Sequence, residues 1–345
     1  MHIERFDPAT EADKVRAWYR LYAATEPVDA PGGPVQSEHA FCAGFRLGWA
    51  GFRRVTALAA VGGGWAAGYL LVLPDIENRQ LGLLTLLVAP GRRRSGLGTA
   101  LLRHAAGHAA RRDRRLLTAE TRIGSAGSGF AAAMGACPGL VEVRRVLELA
   151  DAPAGKLAGL RARAETAARG YSLIRWQGPV PDEHLEQVVA VSAAMADAPR
   201  NPGEEADVED ATRIRQGERR LAEQGLRCYT VAARCDRTGE LAGLTQLTVD
   251  PADPSWGSQQ LTAVTRAHRG HRLGLLVKVA MLEMLAGDEP GLRRIETGNS
   301  RTNQHMIAIN TELGFRVLDE WQSWELQVAT VLAAAPATLP GGAAR

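Results

Sequence analysis

The 345-residue chain exceeds the usual size of one domain, so two domains of about 150 residues are the default expectation. Apolar residues (46%) suffice for two ordinary cores, and with aromatics at 5% those cores must rest on Leu, Val and Ala. A formal net charge of +3 argues against a nucleic-acid surface, and no uninterrupted apolar stretch is long enough to span a bilayer. Of the 41 basic residues only Lys14, Lys156 and Lys278 are lysine; this arginine bias, beside so much Ala and Gly, reads as coding background. Cys42, Cys137, Cys228 and Cys235 lack metal-ligand spacing and no His cluster accompanies them, so no metal is expected.

The N-terminus, Met1-His2-Ile3-Glu4-Arg5, turns acidic without an apolar core; a helical start, no signal peptide and a soluble cytoplasmic protein are expected. Val55 to Val61, the turn Gly62-Gly63-Gly64, and Trp65 to Leu73 predict an antiparallel hairpin. A strand over Leu83 to Val88 follows, then a basic glycine-bearing loop, an apolar-periodic helix and a strand over Arg115 to Ala119. A helix and a strand near Val141 to Leu149 close the half. The second half repeats the order: a hairpin from Arg227 to Arg234 and Glu240 to Val249, a strand over Leu261 to Val264, and a basic loop with its helix. A strand over Arg293 to Thr297 and a closing segment from Phe315 to Val328 follow. This alternation predicts two similar α/β domains with mixed sheets, over 1–150 and 171–332. Residues 151–170 read as a partly helical connection, and the Ala/Pro/Gly tail over 333–345 as disordered.

The two loops carry the chemistry. A glycine-bearing loop between a strand and a helix N-terminus points successive N–H groups outward, and the helix dipole adds partial positive charge, which suits a phosphate. Arg93, Arg94, Arg269 and Arg272 can add charge-assisted contacts. One copy is weak evidence, because a tight turn with solvated arginines looks the same; two copies in matching contexts are harder to dismiss.

Arg93-Arg94-Ser95-Gly96-Leu97-Gly98, with Val88 and Pro90 before it, resembles the Arg/Gln-x-x-Gly-x-Gly/Ala signature of the GNAT acetyltransferase superfamily. Arg269-Gly270-His271-Arg272-Leu273-Gly274 is similar, with Arg272 at the first glycine position. The resemblance covers nearly the whole chain as two GNAT units in tandem. It implies a mostly antiparallel twisted sheet in each domain, flanked by helices and splayed between the fourth and fifth strands to admit acetyl-CoA. It places Leu87, Val88, the run from Arg93 to Thr99, Val264, and the run from Arg269 to Gly274 at the cofactor. Within those runs the residues are Arg93, Arg94, Ser95, Gly96, Leu97, Gly98 and Thr99, then Arg269, Gly270, His271, Arg272, Leu273 and Gly274.

Asn303 through Phe315 resembles the family's Asn-x-x-Ala…Tyr-x-x-x-Gly-Phe segment; Asn303 matches a cofactor-contacting asparagine, and Asn310 stands where many members carry a tyrosine acid. In the first half Ala131 takes that place and the asparagine is missing. The resemblance implies direct transfer of an acyl group to an amine, with the second domain favoured for the chemistry. Glu296, at the end of the presumed fifth strand, is the candidate proton acceptor, against a reading as a surface carboxylate paired with Arg293 or Arg294; Glu120 is read as its counterpart. The acidic run from Glu204 to Asp210 is either a wall for a cationic amine or a solvated helix start. A small-molecule amine is the expected partner; an acyl-CoA-binding scaffold and an aminoacyl-tRNA-dependent transferase are the competing readings.

Overall fold

A computed structural model describes residues 1–49, 51–151, 154–206 and 208–334. The expected disordered tail therefore lies outside the described residues from 335 onward.

In chain order, β1 (His2–Phe6), α1 (Ala12–Asp29), α2 (Glu38–Leu47), β2 (Phe52–Val61), β3 (Gly64–Pro74), β4 (Leu81–Val88), α3 (Leu97–Ala110), β5 (Leu116–Arg122) and α4 (Ala126–Ala133) build the first unit. β6 (Cys137–Glu148) and α5 (Ala154–Ala167) follow. The second unit is then built from β7 (Tyr171–Gln177), α6 (Leu185–Ser192), α7 (Ala211–Glu223), β8 (Arg227–Cys235), β9 (Leu241–Asp250), β10 (Asp253–Val264), α8 (Leu273–Asp288), β11 (Arg294–Ser300) and α9 (Gln304–Leu313). β12 (Arg316–Gln327) and α10 (Val328–Ala333) end the described chain.

Where the repeat suggested contiguous stretches, the compact units interleave. Unit 1 is Met1–Val141, Gly203–Glu205 and Glu320–Arg345; unit 2 is Glu142–Pro202 and Ala206–Asp319. Each unit takes its closing strand from the other half of the sequence. Trp321 to Gln327 of β12 pair antiparallel with Arg122 to Leu116 of β5, and Glu142 to Glu148 of β6 pair antiparallel with Ser300 to Arg294 of β11. Local propensity does not encode this exchange, because it favours a strand without naming the distant strand it pairs with. Trp321 and Trp324, read with the second domain, consequently belong to unit 1, where Trp324 Nε1 donates to Thr121 Oγ1 at 2.8 Å.

The helical start is corrected. His2 to Phe6 form an edge strand on β2, with Phe6 buried and Ile3 against the core of α3; one apolar residue per face is too weak a signal to read as a strand. In unit 1 the α3 side of the sheet buries Leu71, Leu84, Leu101 and Leu117, joined by Leu326 and Val331 from the exchanged segment. In unit 2, α8 is apolar on all sides because it is covered twice, by Val231, Leu247 and Ile295 of the sheet and by Leu160 and Ala164 of α5. Helix starts follow their caps: Ser37 Oγ accepts from Ala40 N, Asp210 Oδ1 from Arg213 N, and Asn303 Oδ1 from Met306 N. Among the described residues no helix is long and apolar enough to cross a membrane.

Candidate functional site

Both units carry the splay. In unit 1, β4 and β5 pair in parallel only through Leu81–Leu83 with Leu116–Thr118; in unit 2, β10 and β11 pair only through Trp256–Ser258 with Arg294–Glu296. Beyond those registers the two strands of each pair no longer bond to each other, while each keeps its other neighbour. The β4 register against β3 is regular from Leu83 to Val88, whereas β10 takes one extra residue between Gln259 and Thr262 against β9. That bulge is held by side chains: Thr245 Oγ1 lies 2.7 Å from Thr262 Oγ1 and accepts from Gln259 Nε2 at 2.9 Å, and Gln260 Nε2 donates to Thr248 Oγ1 at 2.9 Å. A bulge turns main-chain groups out of the ladder, and here it does so beside the splay.

The two loops share one backbone. Left-handed residues fall at Arg94 (φ 62°) and Gly96 (80°) in the first loop, and at Gly270 (88°) and Arg272 (53°) in the second. Each copy thus has one glycine and one arginine at the same pair of positions, exchanged between them. Arg272, the departure from the motif, adopts the conformation that Gly96 takes freely, at roughly 1 kcal/mol. Gly98 and Gly274 serve packing: a Cβ there would lie 3.3 Å from Phe130 and 3.1 Å from Ile309.

The first arginine of each motif is a brace. Arg93 Nε donates to Val88 O and its Nη1 and Nη2 to the Asp29 carboxylate at 2.9 and 2.7 Å; Arg269 Nε donates to Val264 O and its Nη2 to Asp197 at 2.6 Å. Sequence reading aimed these guanidiniums at pyrophosphate, but each fastens the end of the fourth strand to the acid that closes the first helical segment. The other loop cations differ between units. In unit 2, Arg266 also binds Asp197 (2.9 Å), Arg272 binds Glu312 (2.5 and 2.8 Å), and His268 Nδ1 shares a 2.8 Å hydrogen bond with Tyr171 Oη. Two arginines hold the Asp197 carboxyl far below the usual carboxylate range. In unit 1, Arg92 and Arg94 stay exposed, with no acid against either guanidinium among the described residues.

Of the remaining cofactor candidates, Leu97 and Leu273 are buried helix starts, and Leu87 packs on the α1 side of unit 1. Ser95 Oγ donates to Arg92 O (2.6 Å), Thr99 faces Met134, and His271 is exposed with its ring 5.3 Å from that of Tyr171. Asn303, expected at the cofactor arm, spends its side chain as the cap of α9.

Glu296 holds the last paired register before the unit 2 splay. Its carboxylate accepts from Ser258 Oγ at 3.2 Å and lies 3.9 Å from Arg144 Nη1, while Arg294, its suggested partner, binds Glu148 instead. Burial pushes the Glu296 carboxyl up, against the opposing pull of Arg144, whose guanidinium is chiefly held by Asp319 at 2.8 and 2.5 Å. In unit 1 the same register belongs to Thr118; Glu120 stands two residues further on, opposite Ser323. Asn310 is buried completely, its amide bonded to Lys278 and Asn299, so it neither faces a cleft nor has a proton to give. The acidic run is divided between the units, Glu204 and Glu205 falling in unit 1 and Glu209 and Asp210 in unit 2. Glu205 lies in unit 1 and accepts from Asn78 N at 3.0 Å, Asp210 caps α7, and Asp207 is outside the described residues.

The acetyltransferase (GNAT) family model matches residues 15–132. A tandem GNAT protein from the clavulanic acid biosynthesis pathway, solved without acetyl-CoA, superposes with a TM-score of 0.79 at 30% identity, over 95% of this chain and 98% of that one. The chain belongs to the GNAT acetyltransferase family. A GCN5-related N-acetyltransferase from Sphaerobacter thermophilus shares the fold, with a TM-score of 0.67 at 16% identity over 95% of both chains. No curated relative matches in sequence. This GNAT protein is thus a tandem acyltransferase, in which the splay and the glycine-bearing loop each occur twice. Sequence reading missed the acids Asp29 and Asp197, because they meet their arginines only across 64 and 72 residues of chain. It also missed Ser258 and Arg144 around Glu296, which no local spacing announces.

Proposed function

We propose that unit 2 transfers an acyl group, acetyl in the simplest case, from acyl-CoA to a primary amine of a small molecule. The observation that carries this reading is Glu296, half-buried at the apex of the β10–β11 splay, with a carboxyl whose affinity for protons is raised by burial. The fit of an acyl-CoA rests on two features: the α8 N-terminus behind a loop with two left-handed residues, and the bulge in β10 at the splay. Bound there, acyl-CoA would supply a thioester: the amine nitrogen would form the new C–N bond, the C–S bond would break, and coenzyme A would leave as a thiolate that takes a proton from water. Glu296 accepts the amine proton, and a raised pKa makes it the better base near neutrality. Ser258 and Arg144 orient its carboxylate, and main-chain N–H groups freed at the bulge are placed to meet developing negative charge. The small-molecule acceptor is supported by the relative from the clavulanic acid pathway.

A second role is proposed for unit 1, as an acyl-CoA holder without the chemistry. It has the loop and splay, its Arg92 and Arg94 are uncommitted, and the register of Glu296 is Thr118. The test is acetyl transfer to a panel of amines with wild type and Glu296→Gln. A loss of about a hundredfold in kcat for the variant is expected; an unchanged rate removes Glu296 from the mechanism. Calorimetry with Ser95→Glu and His271→Glu, each placing a carboxylate at an exposed loop position, assigns binding to unit 1 or unit 2. If wild type binds no acyl-CoA, a scaffold takes the place of the enzyme.

A further inference from the structure

Unit 2 places a lysine where its packing calls for an apolar side chain. Lys278 sits mid-way along α8, 2% exposed, among Leu275, Leu276, Val277, Val279 and Ala280. Its Nζ donates to Asn310 Oδ1 at 2.8 Å and stands 5.2 Å from the centre of the Phe315 ring. Asn310 in turn donates from Nδ2 to Asn299 Oδ1 at 2.6 Å. Asn299 is half-buried on β11, beyond the last β10 pairing, and its own Nδ2 meets no partner among the described residues.

We propose that Lys278 is a positioning residue that sets the amides of Asn310 and Asn299, so that Asn299 Nδ2 offers its N–H donors at the β11 side of the splay to a carbonyl oxygen of the bound acyl donor. The inference rests on unit 2 being the acyl-CoA site. Its logic is that of donor and acceptor inventory. Below about pH 7 the buried amine is an ammonium and can only donate, so in that range Asn310 must turn its oxygen to Lys278 and its NH2 away; above it the neutral amine can also accept and the constraint loosens. Asn299 must then turn its oxygen inward, which leaves its NH2 outward. Two amides without the lysine could satisfy each other in either sense.

Unit 1 supplies the contrast. Counting from Leu97 and Leu273, Leu102 takes the place of Lys278; counting back from Gly135 and Gly314, Ala131 takes that of Asn310; from the paired registers, Thr121 takes that of Asn299. The two buried polar groups of unit 2 are thus both apolar in unit 1, where Thr121, in the place of Asn299, accepts from Trp324 Nε1 instead. Isolated polar replacements in a core have no reason to travel as a set. Burying an amine is costly unless it serves something, and α8 needs none for packing.

Asn310→Asp separates this role from a structural one. The new carboxylate satisfies Lys278 but offers Asn299 only acceptors, so Asn299 turns its NH2 inward and its oxygen outward. With Ser95→Glu silencing unit 1, acetyl-CoA affinity is read by calorimetry at about pH 6, where Lys278 is charged, beside thermal unfolding. Asn310→Asp is expected to weaken binding about tenfold, the worth of one hydrogen bond, with no fall in Tm. Lys278→Met, which releases the relay rather than reversing it, is expected to weaken binding less, about threefold. Binding equal to the parent in both variants overturns the proposal, as does a loss that follows Tm. A parent that binds no acetyl-CoA brings down the function proposed for unit 2 and the relay with it. A parent that binds and depends on Glu296, with an indifferent Asn310→Asp, brings down the relay alone.

Discussion

Replacing Lys278 by methionine keeps the length of the side chain and removes the buried amine. Burial pushes this lysine from its ordinary 10.5 down to about 7. Each pKa unit is about 1.4 kcal/mol, so at pH 7 holding the amine inside costs unit 2 up to about 5 kcal/mol relative to the unfolded chain. The variant recovers that, less the roughly 1–3 kcal/mol for leaving Asn310 Oδ1 without its donor, which leaves a net gain of about 2–4 kcal/mol. The sign of the pH dependence follows from where protons bind. Between pH 7 and 10.5 the unfolded chain carries a proton on this lysine and the folded chain does not, so wild-type stability rises with pH across that window and flattens below it. The variant lacks this rise. Denaturation followed by hydrogen exchange of the α8 amides reads unit 2 by itself, which matters because two units need not unfold together. A Lys278→Met protein less stable than wild type at pH 7 would falsify the reasoning, for it would mean that Asn310 and Phe315 solvate the ammonium better than its burial implies. Together with weaker acetyl-CoA binding, a gain in stability identifies a residue kept for function at the expense of the fold.

Other substitutions test separate parts of the structure. Glu296 must be deprotonated to accept a proton, so kcat/KM should fall as pH drops through a pKa above the usual carboxylate range, and the residual activity of Glu296→Gln should lack that acid limb; an identical profile in the variant assigns the limb to another group. Gly68→Ala places a Cβ 2.2 Å from Trp18 Cζ3 and 2.8 Å from Ala57 O, so it should destabilise unit 1 by about 3 kcal/mol in urea unfolding; a change below about 1 kcal/mol refutes that packing. Ending the chain after Phe315 removes β12 and α10, and through the strand exchange it should disrupt unit 1 while α8 amides of unit 2 keep most of their protection. Loss of protection first in unit 2 would refute the exchange.

The sequence discloses what is local and periodic. Hairpins with glycine turns, the basic loops, and the helices that follow them each show their apolar spacing or turn residues within a few positions, and the repeat multiplies the signal. The splay was reached through resemblance, since nothing in Leu83 to Val88 states where pairing stops. What stayed hidden depends on partners far apart in the chain. The exchange of β6 and β12 hides because each strand finds its partner far along the chain, Glu148 at Arg294 and Trp324 at Ala119, and the role of Arg93 hides because Asp29 is 64 residues away. One further signal is legible in the sequence. Lysine occurs at only three of 41 basic positions, and one of them interrupts the apolar run from Leu273 to Leu282. Arginine stays charged in any interior, whereas lysine can release its proton, so a lysine surviving in that run already pointed to a buried amine.

The paired loops differ in their charged neighbours while keeping one backbone conformation. Both copies keep two left-handed residues, and both keep the arginine brace onto an acid, so the shape that gathers N–H groups is preserved. The difference lies in the surrounding acids. In unit 2, Asp197 and Glu312 already occupy Arg266, Arg269 and Arg272, so an incoming pyrophosphate gains little from those guanidiniums unless it displaces a carboxylate. In unit 1, Arg92 and Arg94 stand in solvent and bring their full charge. Surface ion pairs are weak, so displacement is cheap, but the net electrostatic gain still favours unit 1. Added salt should therefore weaken acyl-CoA binding more in unit 1 than in unit 2. On the proposed reading, unit 1, without Glu296, would hold a coenzyme by charge, and unit 2 would rely on hydrogen bonds along the splay, where the polar bulge of β10 and the amide of Asn299 are found.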